Sequence, residues 1–594
     1  MTKCRLIAAS LLAASAMTAT PAAAQRIDRI VAFGDSYADD GNLFQILGGP
    51  LPPPFPTGRF SGGTNYVDTL GSLLDAPIDN FAIGGALTSN VNTNSPLLPG
   101  FATEWNAFLA GGGGVFPTVD GTFDEDDLLV VSIGGNDARF FQTGSVLHGL
   151  APGTLEDAPD AAIASAAFAT AGLDALVAAG AQNISFLAGD TSELPEVALQ
   201  PDPAAAAAIR SAFSTTFNEA MQTTLAGYAA DGVIVHYLDG SLLLGQVAGN
   251  LEGYGLVGLA CPALPNTSCI ADPTQKFLFY YDQLHLTSAG FAIVGQYVAA
   301  QLQAPLTLQA TSDMSLDVAR QFGRTLSSRM DTTAPRDGDM PEGMKFFIVG
   351  DGFSRKLDIG PTNDAYRSSG LGATAGVEYG FGSGLVGAAV NYSKPKVNFG
   401  NDAAGTESKS LQVGGYGVFG IAGGFVQAYA GYGWNKHDIE RAGVISELEA
   451  DPDGNHFIAG AKGGYLMPLG SVRVGPVIGL DYAKAKVDSY TENGDPVLTL
   501  NVDSLTYRSL RGSLGVELRG DFAGSGVQIR PFASAVVEKD FTGDGRTVRF
   551  SQTSAPIIVN SFDFDDASKK AYGRLSGGFS AAILSSVTLD AAAS

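Results

Sequence analysis

The chain changes its hydrophobic period partway along, and that change limits what it can fold into. Beyond residue 340 apolar residues recur at every second position. Leu371, Ala373, Ala375, Val377, Tyr379 and Phe381 alternate with Gly372, Thr374, Gly376, Glu378 and Gly380. The same period runs through 472–482, where Val477 is the one apolar intruder, and through 510–519. A period of two belongs to strands. About eleven such segments, each of about ten residues or more and separated by Gly, Asp and Asn turns, fit a membrane barrel. A soluble sandwich alternates as well, with its apolar face turned inward. The segment lengths favour the barrel, and so does the girdle-like placing of Tyr379, Phe381, Tyr432, Trp434 and Tyr482 toward segment ends. Beyond the N-terminus no helix of about twenty apolar residues is expected, so a membrane crossing here requires a closed sheet.

The first half reads differently. Short apolar runs at 30–33, 128–133, 184–187 and 233–238 are strand candidates, and 160–179 and 204–230 are alanine-rich helix candidates between them. Alanine is the best helix former, so these runs need not be disordered. Alternation of this kind argues for a parallel sheet wrapped by helices, an α/β fold. Ahead of it, Lys3 and Arg5, the apolar run 6–17 and Pro21-Ala22-Ala23-Ala24 read as a secretory signal peptide cleaved after Ala24. Cys4 leaves with that peptide. Cys261 and Cys269 remain as an even pair in an exported chain and are expected to close a small disulfide loop, with two free thiols as the alternative. A formal net charge of −25 argues against a nucleic-acid partner, since phosphate binding wants a basic face. The acidity reads as solubility outside the cell. The predicted division is 1–24 signal, 25–305 α/β domain, 306–340 linker and 341–594 barrel. Within the linker, 315–330 reads as one helix with Leu316, Ala319, Phe322, Leu326 and Met330 on a stripe and Arg320 and Arg324 on its polar side. It is either a surface connector or a helix threaded through the barrel, its arginines facing inward acids such as Glu378 and Glu517.

Chemistry concentrates in four blocks. Phe33-Gly34-Asp35-Ser36 ends the first strand candidate and presents a serine where an α/β sheet places its ligand, with a helix expected to follow. Gly134-Gly135-Asn136-Asp137 follows a second strand, Asn80 to Ala86 lies between the two, and Asp282-Gln283-Leu284-His285 lies near the end of the half. A serine hydroxyl needs a base to become a nucleophile. Of the histidines before the barrel (His148, His236 and His285), only His285 has a carboxylate three residues upstream. Asp282 at that spacing reaches the imidazole from the same turn and fixes its tautomer. Taken alone, Gly-Asp-Ser is a common turn and Asp-x-x-His a common loop. No metal-spaced cluster is present, and the run Gly111 to Gly114 lacks the Lys-Ser/Thr of a phosphate loop, so no cofactor and no metal are expected.

The four blocks, in this order across roughly residues 28–300, resemble the GDSL, or SGNH, family of serine esterases and lipases. Phe-Gly-Asp-Ser-x-x-Asp-x-Gly-Asn looks most like its branch of bacterial lipases and lipid acyltransferases. The resemblance implies a flavodoxin-like three-layer fold, a catalytic triad of Ser36, Asp282 and His285, and an oxyanion hole from the Ser36 and Gly85 N–H groups and the Asn136 amide. Gly84 is the adjacent alternative to Gly85. Asp35, Asp39 and Asp137 are read as organising turns. The whole arrangement, with the helix and the strand-rich half, resembles the GDSL-type autotransporter esterases. That implies an esterase passenger acting on carboxylic ester or lipid substrates at the cell surface, outer-membrane lipid around an all-β barrel, and the outer-membrane assembly machinery as a partner. Esters of short to medium acyl chains are expected, and the run Gly49 to Phe55 is a candidate acyl rim or a structural loop. An O-acetyl carbohydrate esterase, an inactive adhesin and a freely secreted enzyme with a soluble β-domain are the alternatives. Autotransporter domains usually end on a strand with a terminal aromatic. Here Val587 to Ser594 offers none, so either about one strand is missing or the barrel closes differently.

Overall fold

The computed structural model describes residues 27–49, 51, 54–262, 276–333, 340–524, 527–542, 545–564, 570–584 and 587–593. The predicted signal peptide lies outside them, as does Cys269; Cys261 is disulfide-bonded.

In the first half five parallel strands form one sheet: β1 (Arg29–Gly34), β2 (Ile78–Asn80), β3 (Asp127–Ser132), β4 (Asn183–Ala188) and β5 (Ile234–Asp239). Their spatial order is β2-β1-β3-β4-β5, the flavodoxin-like order. Ile30 aligns with Leu128, and Leu129 with Ile184. The middles of β1 and β3, Ile30 to Phe33 and Leu128 to Val131, are continuously apolar because both faces are covered. Val31 and Phe33 point toward helices α3 (Phe101–Leu109), α5 (Ala158–Ala178) and α6 (Pro203–Ala230). Ile30 and Ala32 point the other way, toward α2 (Tyr66–Leu74), α7 (Gly240–Gly249) and α8 (Ser288–Gln303). Two short helices, α1 (Asn42–Leu47) and α4 (Gly135–Thr143), follow the tips of β1 and β3. The expectation of no long apolar helix needs correcting: α5 is long and apolar enough to span a membrane by length and composition. Alanine supplies that apolarity, and Ala162, Ala166, Ala169, Leu173 and Leu176 are buried in the core beside the sheet.

A single helix, α9 (Ala310–Thr333), joins the halves, longer at both ends than the predicted 315–330. Beyond it the chain forms one antiparallel ladder: β6 (Met340–Leu357), β7 (Tyr366–Gly382), β8 (Gly384–Phe399), β9 (Ala404–Ile421), β10 (Gly424–Arg441), β11 (Asp453–Tyr465) and β12 (Val472–Val487). A small outward sheet then begins with β13 (Tyr490–Thr491) and β14 (Leu500–Val502). The ladder resumes in β15 (Leu505–Gly520) and β16 (Val527–Asp540). The strands β17 (Arg546–Gln552) and β18 (Asn560–Phe564) complete the outward sheet, and β19 (Tyr572–Leu584) and β20 (Val587–Ala593) end the ladder. Burial decides between barrel and sandwich. Leu371 is 79% exposed and Leu514 63%, whereas Thr374, Glu378, Gln412 and Glu517 are at most 1% exposed. Apolar side chains outside and polar ones inside are the signature of a membrane barrel.

The lumen holds α9. Leu316, Ala319, Phe322, Leu326 and Met330 are buried together against the wall, as their stripe predicted. The polar pairings differ from the expected ones. Arg329, not Arg320 or Arg324, forms the bidentate pair with Glu378 at 2.9 Å through both nitrogens, and it also meets Asp590 at 2.5 Å. Glu517 pairs with wall residues, Lys462 at 2.8 Å and Arg519 at 2.5 Å, while Arg320 donates to Ser509 at 2.6 Å and faces a different inward acid, Asp540, at 3.5 Å. Inside a lumen every face of a helix is enclosed, so the polar side read from periodicity does not select the partner. Removing the cation of such a buried pair costs about 3–5 kcal/mol. Arg329→Ala is therefore expected to lower the temperature at which the barrel loses its compact, heat-modifiable mobility on SDS gels.

Candidate active site

Three strand tips and one hairpin-like turn build the site. β1 ends at Gly34, whose φ of +129° and contact with β3 exclude a side chain: a Cβ there would lie 2.0 Å from the Ser132 carbonyl oxygen. The chain then turns tightly, with the N–H groups of Ala38 and Asp39 both donating to the Asp35 carbonyl. No helix follows Ser36 directly, contrary to expectation; α1 starts at Asn42. Asp39 explains the delay, because its carboxylate accepts the N–H groups of Gly41 (2.6 Å), Asn42 (2.7 Å), Leu43 (3.2 Å) and Gly84 (2.6 Å). One side chain thus ties the serine turn to the loop after β2. Glu104 lies behind the turn, fully buried, and accepts the Gly34 N–H at 2.8 Å; burial drives its carboxyl well above the ordinary range.

His285 comes from the turn between a short strand, 277–279, and α8. Asp282 folds that turn onto itself, its Oδ1 accepting the N–H groups of Leu284 (3.1 Å) and His285 (3.0 Å) while Gln283 takes a φ of +58°. Its other oxygen lies 2.6 Å from His285 Nδ1, and His285 Nε2 lies 2.7 Å from Ser36 Oγ. Burial raises the Asp282 carboxyl, but the charge and hydrogen bonds of His285 outweigh it, leaving the group below its usual value. Tyr37 locks the two loops together, its hydroxyl donating to the Leu284 carbonyl at 3.0 Å, and the Phe60 ring packs 4.9 Å from the imidazole.

The third group is Asn136, in the first turn of α4. Its Nδ2 donates to the Ala86 carbonyl at 3.2 Å and lies 3.5 Å from Asp35 Oδ2; Arg139 donates to its Oδ1 at 3.4 Å. Burial pushes the Asp35 carboxyl up to about 6, opposed by the Tyr37 N–H and the His285 charge. Asp137 braces the neighbouring loop, accepting the Thr88 hydroxyl at 2.7 Å and its N–H at 3.0 Å, and burial lifts it to about 6 as well. The two adjacent glycines differ in what their N–H groups meet. Gly84 N–H is taken by Asp39, whereas Gly85 N–H, like that of Ser36, has no acceptor among the described residues. Gly85 also needs its φ of +81°, and a Cβ there would lie 2.2 Å from Asn94 Nδ2.

Sequence reasoning had not singled out Tyr37, Phe60, Glu104 or Arg139. Arg139 belongs to a buried cluster in which Glu196 pairs with it at 2.8 Å and with Arg210 at 2.5 Å, a grouping no local spacing announces. Beside Ser36 opens a cavity of about 810 Å³, lined by Leu194, Leu242, Leu244, Leu284, Leu286 and Val294 among others. Of the candidate rim, the described residues Gly49, Leu51, Pro54 and Phe55 do not line it. Phe55 packs instead on Phe44, Phe60 and Tyr281, and Pro50, Pro52 and Pro53 lie outside the described residues.

The sequence matches the GDSL-like lipase/acylhydrolase family over residues 30–298 and the autotransporter β-domain over 347–594. It is 25% identical to esterase EstA of Pseudomonas aeruginosa and 25% identical to esterase EstA of Pseudomonas putida. Each alignment covers 97% of this chain and 94% of the relative. Among solved structures, the translocator domain of the autotransporter NalP from Neisseria meningitidis matches 46% of this chain and 87% of its own, at 20% identity and a TM-score of 0.36. The chain therefore joins a GDSL-like lipase/acylhydrolase domain to an autotransporter β-domain, a carboxylic ester hydrolase exposed at the cell surface on an outer-membrane β-barrel.

Proposed function

We propose that Ser36 attacks the carbonyl of an ester while His285 Nε2 accepts its proton and Asp282 holds the imidazole in place. The alcohol leaves with a proton from His285. Water activated by the same histidine then frees the acid, which completes a two-step acyl transfer. The developing oxyanion is met by the N–H groups of Ser36 and Gly85 and by the Asn136 amide. The observation that carries this reading is the chain Asp282–His285–Ser36, with links of 2.6 and 2.7 Å, at the edge of a cavity that exposes more apolar than polar surface. That cavity suits the acyl chain, and we assign the substrates as carboxylic esters of short to medium acyl length, lipids included. Residues 25–305 form the passenger, 306–340 the linker and 341–594 the β-domain, which is inserted by the outer-membrane assembly machinery.

Hydrolysis of p-nitrophenyl esters from acetate to dodecanoate by cells displaying the full chain tests the assignment, with Ser36→Ala as control. Equal rates for the two would reduce the passenger to an adhesin. A maximum at acetate with nothing beyond it would favour an O-acetyl esterase. Asn136→Ala removes one preorganised oxyanion donor and is expected to lower kcat about 10²–10³-fold with little change in KM.

A further inference from the structure

The cavity beside Ser36 is not walled by the hydrolase half alone. Pro496, from the connection between barrel strands β12 and β15, lines it alongside Leu242, Gly245, Gln246 and Ala248 of α7. The turn that carries Pro496 is built into both halves. Asp495, 4% exposed, accepts from Gln246 Nε2 at 2.8 Å and from the Tyr297 hydroxyl at 2.5 Å. Tyr254 closes the group, 2.5 Å from Tyr297 and 2.8 Å from Gln246. Asp495 also shapes its own turn, its side chain accepting the Val497 N–H at 2.9 Å and its carbonyl the N–H groups of Leu498 and Thr499. Val497 and Leu498 are buried in one core with Leu243 and Val247 of α7 and Tyr297 of α8. From the barrel side Arg441, the last residue of β10, donates to the Leu498 carbonyl at 2.8 Å while pairing with Glu492 at 2.9 and 2.6 Å.

The same contact surface continues along the sheet edge. Asn560 of β18 accepts the Val235 N–H at 2.8 Å and donates to the Val235 carbonyl at 2.9 Å, and Gln552 accepts the Tyr237 N–H at 2.9 Å. These amides occupy backbone groups of β5 that an edge strand would otherwise leave open. The docking is therefore fixed at several points, and Pro496 is held in position rather than brushing past the cavity.

We infer that the barrel completes the acyl site: the turn from Asp495 to Leu498 is a specificity-determining wall that positions α7 and bounds the space open to the acyl chain. This rests on the reading of the cavity as the acyl site of a Ser36 esterase. Among the described residues the turn makes no hydrogen bond to Ser36, His285 or Asn136, so it acts on acyl length rather than on proton transfer. Asp495 is a positioning residue, since it reaches the substrate only through Gln246, Tyr297 and Pro496.

The test uses the full chain in outer-membrane vesicles and reads the ratio of kcat/KM for p-nitrophenyl dodecanoate to that for the butanoate. Pro496→Trp places an indole in the wall and is expected to lower the ratio about tenfold or more, the scale on which apolar pockets discriminate chain length. Asp495→Ala frees α7 and lowers the ratio too, whereas Asp495→Asn keeps an acceptor and restores it toward the wild-type value. If Pro496→Trp loses the heat-modifiable barrel band, Pro496→Leu carries the same expectation at about threefold or more. A ratio unchanged in the assembled variants, or butanoate and dodecanoate falling in step, overturns the inference while leaving the esterase intact. A wild type no faster than Ser36→Ala on any ester overturns the esterase reading, and the acyl wall with it.

Discussion

Ser36→Ala is expected to lower kcat for p-nitrophenyl butanoate by about 10⁵–10⁶-fold while the barrel assembles normally. Oγ is both the attacking atom and the attachment point of the acyl group, so no neighbour replaces it. Residual hydrolysis should come from water in a site whose oxyanion donors remain, which keeps the rate above the uncatalysed one. Because the serine and the histidine act as a unit, His285→Ala should cost about as much, and the double variant should be no worse than either single one. The diagnostic is that non-additivity, measured as initial rates in vesicles containing equal amounts of folded barrel. Losses that multiply would mean that the two residues act in separate steps, and the 2.7 Å contact between them would need another explanation.

Asp282→Asn comes next in size, with kcat falling about 10³–10⁴-fold. The carboxylate accepts a proton-bearing Nδ1 and so leaves Nε2 free to take the serine proton. An amide at that position can donate to Nδ1 and stabilise the wrong tautomer, and it offers no charge to the imidazolium. There is also a structural part to the effect. Asp282 Oδ1 holds the N–H groups of Leu284 and His285, which the asparagine carbonyl can still accept, so the turn should survive. Asp282→Ala loses both functions, and its additional loss over Asp282→Asn would measure the turn. The carboxyl lies below its ordinary value, so its contribution to stability is present above the unfolded carboxylate range and is lost as pH falls through the lower folded value. The asparagine variant should therefore lack that acid-side portion of the stability profile.

Which parts of this molecule were legible in advance follows from how local each one is. Ser36, Asn136 and His285 stand on short blocks whose turn chemistry is written within a few residues, and the structure brings those blocks to one point. The barrel strands were legible because a two-residue period survives any tertiary context. That period is blind to which face meets water, and only the burial of Thr374 and Glu378 against the exposure of Leu371 resolves it. The partner of Glu378 escaped because Arg329 sits on α9 at an angle set by the surrounding wall, not by the helix's own pattern. Pro496, Asn560 and Gln552 escaped for a different reason. The contact between Val235 and Asn560 joins residues 325 positions apart, and neither amide differs in sequence from any polar residue on an outer loop.

The amide caps on β5 bear on what else this anchor could display. Val502, Phe550 and Phe562 of the outward sheet are buried with Ile234 and Leu306, and so depend on the native enzyme for cover. A foreign cargo spliced ahead of α9 would leave those side chains bare in the medium, a sticky platform that invites clumping between neighbouring cells. Trimming that platform together with the enzyme, rather than exchanging the enzyme alone, is the cut that turns this protein into a general display scaffold.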